Sequence, residues 1–176
     1  YILFEKRARS IRQGGEVCFP GGMEDPEDNS TLDTVIRETC EETGVGPGTI
    51  EVHDKAGYMY TSMGAFIEVY LGRMNINSFE DFHPNSSEVE KLFIVPVEYF
   101  INNRPELYPY RLTVEPWYID DSGNRIELFP SETIGLPQRY WKPWSNTRNH
   151  FVVYRYDGEI IWGLTARIIY SISGML

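Results

Sequence analysis

The chain has 176 residues, a length suited to one domain that takes about two-thirds of its unfolded surface out of water. With 41% hydrophobic and 24% charged residues, it has the composition of a folded globular protein rather than a disordered or fibrous one. A formal net charge of −10 opposes nucleic-acid binding, and no apolar run approaches the roughly 20 residues that cross a bilayer, so neither a nucleic acid nor a membrane is an expected partner. Cys18 and Cys40, the two cysteines, lack C-x-x-C spacing, and a reducing, cytoplasmic setting is expected. Tyr1 lies inside an apolar stretch, so residues upstream of it are expected, and Gly174-Met175-Leu176 matches no anchor or address signal.

Residues 1–4 read as a short buried strand, 5–12 as a basic segment and 16–19 as a second strand, after which Pro20-Gly21-Gly22 breaks the chain. Over residues 32–42, Leu32, Val35, Ile36, Thr39 and Cys40 recur at helical spacing, and Gly44 stands as a C-terminal stop, which predicts a helix burying that face. Residues 50–60, 66–74 and 90–95 carry the β-branched and aromatic content of strands, and 96–101 fit a short helical turn. Residues 104–149 are rich in proline and hold Trp117, Trp141 and Trp144, with a hairpin turned at 121–124. This excursion either serves a function or a homodimer interface, or only completes the core. Asp157-Gly158 joins two further strands at 151–156 and 159–162, and Leu164, Ile168, Ile169 and Ile172 share one side of a closing helix. Strands alternating with amphipathic helices predict an α/β (α+β) architecture, a mixed β-sheet between helical layers, as a single domain over 1–176 with an insertion at about 104–149.

The chemistry concentrates at the end of the first predicted helix, in Arg37-Glu38-Thr39-Cys40-Glu41-Glu42. At 100° per residue Glu38 and Glu42 lie nearly above one another, with Glu41 in reach of the same patch. Like charges at this spacing, at the negative end of the helix dipole, oppose folding by a few tenths to about 1 kcal/mol each. A hard divalent ion, Mg2+ or Mn2+, reverses that sign, because it takes oxygen ligands and binds carboxylates together with substrate phosphate. A solvated helix end partly neutralised by Arg37 is the competing reading. Gly21-Gly22 ahead of the acidic helix favours the metal site, since glycine lets backbone approach a ligand and offer a carbonyl.

Residues 22–45 resemble the signature box of the Nudix hydrolases: Gly22, then Arg37-Glu38, then Glu41-Glu42, then Gly44-Val45. The gap from Gly22 to Arg37 is one residue longer than in the generic box, Asp28 stands near the usual first glutamate, and Thr39 replaces an aliphatic residue. The same lengthening is characteristic of the coenzyme A diphosphatase branch, which Phe19-Pro20-Gly21-Gly22, Asp25 and Asp28 also resemble. Upstream, Arg7, Ile11, Arg12 and 16–20 are similar to that branch, although Ala8 replaces a serine and Gly14-Gly15 stands where a His-x-Gly is usual. Tyr60-Thr61 with Gly64, Glu88-Val89 and 161–167 extend the likeness over residues 1–100 and 150–176.

The resemblance implies a Nudix α/β/α sandwich and divalent-metal-dependent cleavage of the diphosphate of coenzyme A, giving 4′-phosphopantetheine and adenosine 3′,5′-bisphosphate. It assigns Glu38 and Glu42 as principal ligands of Mg2+ or Mn2+, Glu41 as a ligand or a neighbour of the ligands, the Gly22 carbonyl as a further ligand, Arg37 as an orienting partner of the carboxylates, and Glu88 as a weaker candidate for water activation or another metal contact, with an ordinary exposed strand residue as its competing reading. Lys6, Arg7, Arg9 and Arg12, clustered in an acidic chain, are the expected contacts to a polyanionic nucleotide, because arginine suits bidentate phosphate binding. A different nucleoside diphosphate linked to X, a nucleoside triphosphate, or a non-catalytic nucleotide-sensing role remain alternatives. His53, His83 and His150 fit no shared motif, and both cysteines read as packing residues.

Overall fold

The computed structural model describes residues 1–61, 64–145 and 148–173, so the reading of Gly174-Met175-Leu176 lies outside the described residues. The chain runs β1 (Ile2–Arg7), β2 (Val17–Cys18), α1 (Thr31–Thr43), β3 (Ile50–Tyr60), β4 (Phe66–Met74), β5 (Val89–Val95), α2 (Val97–Asn102), β6 (Glu106–Arg111), β7 (Trp117–Ile119), β8 (Arg125–Glu127), β9 (Arg148–Tyr156), β10 (Glu159–Trp162) and α3 (Gly163–Ile172). Residues 1–106 with 152 onward form one unit, and 107–151 a second.

In the first unit β1 lies between β2 and β5, antiparallel to both, and the alternation of its side chains builds two cores. Phe4 faces one side and joins Val17, Val95, Phe100 of α2, Val152, Tyr154, Ile161, and Ala166 and Ile169 of α3. Leu3 faces the other side, against Val45, Phe82, Val89 and Leu92. Glu5 shares the face of Leu3 and stands opposite Cys18 on β2 and Leu92 on β5. Val45, just beyond α1, lies in this second core, so sheet residues are covered on both faces and the α/β class follows. β3 and β4 pair antiparallel as a separate two-stranded ribbon, and β10 pairs antiparallel with β9.

α1 starts where Ser30 accepts a hydrogen bond from the Asp33 N–H and stops at Gly44, whose φ of 73° suits glycine. Its buried residues are Thr34, Thr39, Glu42 and Thr43; of the expected stripe Thr39 is buried, Val35, Ile36 and Cys40 are half-buried and Leu32 is exposed, so the buried face is shifted from the one expected. Threonine can fill that face because its hydroxyls are satisfied: Thr34 donates to Asp28 Oδ2 at 2.8 Å and Thr43 to the Thr39 carbonyl. A second difference concerns residues 5–7, which continue β1, so Lys6 and Arg7 sit on a strand rather than in a basic loop. The β9–β10 turn is built as its sequence implies, with Asp157 and Gly158 at φ of 48° and 80°.

The second unit is knitted by its tryptophans. Trp117 Nε1 donates to the Trp141 carbonyl at 3.0 Å and Trp141 Nε1 to the Leu136 carbonyl at 2.8 Å, while Val114 and Trp144 pair as an isolated bridge. β7 and β8 form the hairpin expected around 121–124, and Arg125 lies over the Trp117 ring.

Gly44 and Gly158 share a left-handed backbone but differ in surroundings: a Cβ on Gly44 would overlap the His83 carbonyl, whereas one on Gly158 would meet nothing within 4 Å. Gly158→Ala is expected to lower the unfolding free energy by roughly 1–2 kcal/mol, the left-handed cost alone. Gly44→Ala is expected to lower it further, because backbone must move as well. Urea unfolding of both variants checks the order.

Candidate functional site

The glycine pair after β2 lies directly against the end of α1. Gly21, at φ 148°, donates its N–H to Glu42 Oε2 at 2.8 Å, and a Cβ on Gly22 would overlap the Glu38 carboxylate. Glycine at 22 thus lets the loop and the Glu38 carboxylate approach closely, and the loop presents backbone to two carboxylates of the helix.

Arg37 ties the remaining acids together. Its Nη1 donates to Glu38 Oε1 at 3.0 Å and to Glu41 Oε2 at 3.1 Å, its Nε to Asp28 Oδ1 at 3.0 Å, and its Nη2 to Asp28 Oδ2 at 2.9 Å and the Met23 carbonyl at 3.0 Å. The guanidinium fork is thus fully used on one carboxylate, with two more shared at its edge. Both Asp28 oxygens accept from Arg37, and with the Asp25 N–H and Thr34 hydroxyl this holds the Asp28 carboxyl well below its usual range. Glu38 is largely covered and Glu41 half exposed.

Glu42 is 5% exposed and Glu5 fully buried. Burial is the largest influence on both and pushes both carboxyls up; for Glu42 the neighbouring charges of Glu5 and Glu38 act in the same direction, opposed by the Gly21 N–H. Glu5 Oε1 accepts from Cys18 Sγ at 3.0 Å and faces Arg7 Nη1 at 3.7 Å, and Glu5 Oε2 has no hydrogen-bond partner. The sequence analysis does not single out Glu5; its signal is a carboxylate directly after the apolar run Ile2-Leu3-Phe4, at a position whose alternation turns it inward. Burial and the Glu5 charge drive the Cys18 thiol strongly up, leaving it a thiol rather than a thiolate.

Among the described residues no three His, Cys, Asp or Glu side chains already converge as a metal cage. The donor chemistry nevertheless fits a hard divalent ion: Glu38 and Glu42 are oxygen donors flanking a bare glycine backbone, and a buried carboxylate oxygen beside them lacks a partner. Glu88, at the head of β5, is half-buried and near enough to Glu5 for its charge to raise that carboxyl.

The basic segment is not a bare cationic patch. Lys6 pairs with Glu159 at 3.1 Å and Glu90 at 3.8 Å, Arg9 with Glu90 at 3.4 Å, and Arg7 donates from Nε to the Arg12 carbonyl at 3.2 Å while facing Glu5. Arg9 is 83% exposed in its side chain, and Arg12 is exposed. Lys6 also lines an open cleft of about 450 Å³ with Glu16, Arg155, Glu159 and Trp162.

An α/β domain lays a glycine pair on the carboxylate-rich end of its helix α1. The NUDIX domain family matches residues 2–118, and the chain belongs to the Nudix family. It is 36% identical over 109 residues to peroxisomal coenzyme A diphosphatase NUDT7 of Mus musculus, covering 61% of this chain and 44% of that protein. It is 27% identical over 169 residues to the uncharacterized Nudix hydrolase NudL of Yersinia pestis (strain Pestoides F), covering 96% of this chain and 68% of that protein. NudL of Yersinia pseudotuberculosis serotype O:1b (strain IP 31758) matches to the same extent. The chain thus spans less than half the length of the mouse relative. Among the described residues no helix is long and apolar enough to cross a membrane.

The Asp28–Arg37 fork makes a pH-dependent contribution to stability. Because the folded Asp28 carboxyl lies below its unfolded value, that contribution is complete above about pH 4 and is lost as pH falls through the folded value. Asp28→Asn is therefore expected to destabilise the protein at pH 7, with the gap to the unsubstituted chain narrowing below pH 4. Urea midpoints across pH 2.5–7 measure this, on the order of the native acid range.

Proposed function

We propose that this chain is a divalent-metal-dependent diphosphatase acting on coenzyme A or its derivatives, with Mg2+ or Mn2+ as the ion, giving 4′-phosphopantetheine and adenosine 3′,5′-bisphosphate. The observation that carries the reading is the apposition of Gly21-Gly22 to Glu38 and Glu42. The similarity to the mouse coenzyme A diphosphatase over 61% of the chain supports the substrate. A reducing, cytoplasmic setting agrees with Cys18 and Cys40 being free. The unit over 107–151 is read as an insertion within a single Nudix domain.

Glu38 and Glu42, with the Gly22 carbonyl and the more exposed Glu41, are the residues that would hold the ion. When bound, the ion screens the diphosphate and lowers the pKa of a coordinated water. The protein's own part is positional. Arg37 holds Glu38 and Glu41 in fixed orientation, and the Gly21 N–H fixes Glu42. Glu88 is the candidate to take a proton from the attacking water, whose oxygen joins one phosphorus as the bridging P–O bond breaks and the bridging oxygen leaves with the other phosphoryl group. Arg12 and Arg9 are the exposed cations available to the ribose phosphate, with Lys6 and Arg7 behind them.

A second reading keeps the reaction and changes the substrate to NADH, ADP-ribose or another nucleoside diphosphate linked to X. It is favoured by the engagement of Lys6, Arg7 and Arg9 with Glu159, Glu5 and Glu90, which reduces the positive charge offered to a third phosphate.

Incubation with Mg2+ and coenzyme A, NADH, ADP-ribose or nucleoside triphosphates, read by product chromatography, separates these readings. Coenzyme A is expected to have the highest kcat/KM, and Glu42→Gln is expected to lower its turnover by roughly 100-fold or more. Preference for another diphosphate would replace the substrate assignment, and nucleotide binding without turnover would replace the enzymatic one. Arg12→Ala is expected to raise KM for coenzyme A several-fold while leaving KM for the analogue lacking the 3′-phosphate unchanged; equal effects on both would remove Arg12 from phosphate recognition.

A further inference from the structure

We propose that Glu5 is a further ligand of the cation site, a buried carboxylate supplied by strand β1 beside Glu42. The proposal rests on the reading of Glu38 and Glu42 as ligands, and extends it to a residue outside the helix and glycine loop.

The alternation of β1 fixes where this side chain goes. Leu3 and Glu5 share the face turned to the second core, where the cross-strand neighbours of Glu5 are Cys18 and Leu92. A strand position among Leu3, Val89 and Leu92 calls for an apolar residue, and a carboxylate placed there loses its water with little in return. Glu5 is 0% exposed. Cys18 Sγ, a weak donor, and Arg7 at 3.7 Å both address Oε1. Oε2, equally buried, has no partner among the described residues other than the carboxyl of Glu42 beside it.

The surrounding charge makes a purely structural role unfavourable. Glu42 lies alongside and Glu88 adds a further negative charge, while Arg7 is the cation that faces Glu5 within salt-bridge distance. A buried carboxylate kept for packing would be expected to satisfy both of its oxygens. One that satisfies a single oxygen and turns the other toward a neighbouring carboxylate has the arrangement of a ligand awaiting a cation. Glu5, Glu42 and Glu38 would each offer a hard oxygen donor of the kind Mg2+ or Mn2+ takes, drawn together on binding, since they do not already converge as a cage. Cys18 then acts as a positioning residue, because its thiol, held protonated, donates to the oxygen that is not used as ligand and fixes the rotation of the carboxylate.

A proton shared between Glu5 and Glu42 is the rival account of the same pair, and it needs no metal. Binding of Mn2+ to the whole chain, followed by electron paramagnetic resonance of free Mn2+ and by calorimetry, distinguishes the two. Glu5→Gln keeps the size of the side chain and its acceptor for Cys18, and is expected to weaken Mn2+ binding by roughly 10–100-fold. Glu5→Asp keeps the charge but draws the oxygens back by one methylene, and is expected to fall between Glu5→Gln and the unsubstituted chain. Circular dichroism confirms that each variant is folded; should Glu5→Gln fail to fold, the Mn2+-induced rise in Tm of Glu5→Asp decides, a reduced rise supporting the proposal and an unchanged rise overturning it. Unchanged Mn2+ affinity in Glu5→Gln alongside lost binding in Glu42→Gln would overturn the role of Glu5 while leaving the helix site standing. Absence of Mn2+ binding by the unsubstituted chain would overturn both.

Discussion

The close burial of two carboxylates of like charge, one from a strand and one from a helix end, is the constraint around which this site is organised. Glu5 and Glu42 come from segments that each have another reason to be where they are: β1 is the middle strand of its sheet, and α1 ends at Gly44 against the backbone of His83. Once both segments are in place the two acids meet, and burial raises the cost of charging either of them. The backbone N–H of Gly21 and the thiol of Cys18 return only part of that cost. The cation proposed for this site would offset the remainder, and the glycine pair leaves backbone beside the acids.

Arg37 solves a different problem. Asp28, Glu38 and Glu41 would repel one another along one turn of helix and its preceding loop, and a single guanidinium joins all three while also holding the Met23 carbonyl. The loop from Gly22 to α1 is thereby fastened at its middle, through Asp28, instead of being fixed only at its two ends. Elsewhere the same economy runs in reverse: Lys6 and Arg9 are paired with Glu90 and Glu159, and Arg7 with Glu5, in a chain whose net charge is −10. A polyanionic ligand must therefore compete with the protein's own acids for Lys6 and Arg9, which makes the exposed Arg12 the more accessible of these charges.

Much of this was legible in the sequence, for physical reasons that can be named. β3 and β4 were readable because their β-branched and aromatic runs are bounded by turn residues, and Asp157-Gly158 was readable because few residue pairs accept φ of 48° and 80° in succession. The end of α1 was readable from Gly44. The buried face of α1 was legible only in part: Thr39 lies on the expected stripe, whereas Thr34 and Thr43 pack inward because their hydroxyls are satisfied, which spacing alone does not show. The fate of Lys6 and Arg9 was not legible, because their partner acids Glu159 and Glu90 lie 153 and 81 positions away and meet them only through the pairing of β5 and the arrival of β10. Glu5 combined both difficulties, an isolated acid in a short strand and a partner contributed by a distant helix.

The account stands or falls on where a divalent ion goes. Crystals soaked in Mn2+, with diffraction recorded where manganese scatters anomalously, locate that ion without reference to activity. A difference peak is expected within coordination distance of carboxylate oxygens of Glu38 and Glu42, adjoining the Gly22 backbone. Absence of a peak there in fully soaked crystals, or a peak held by other residues, would contradict the central claim.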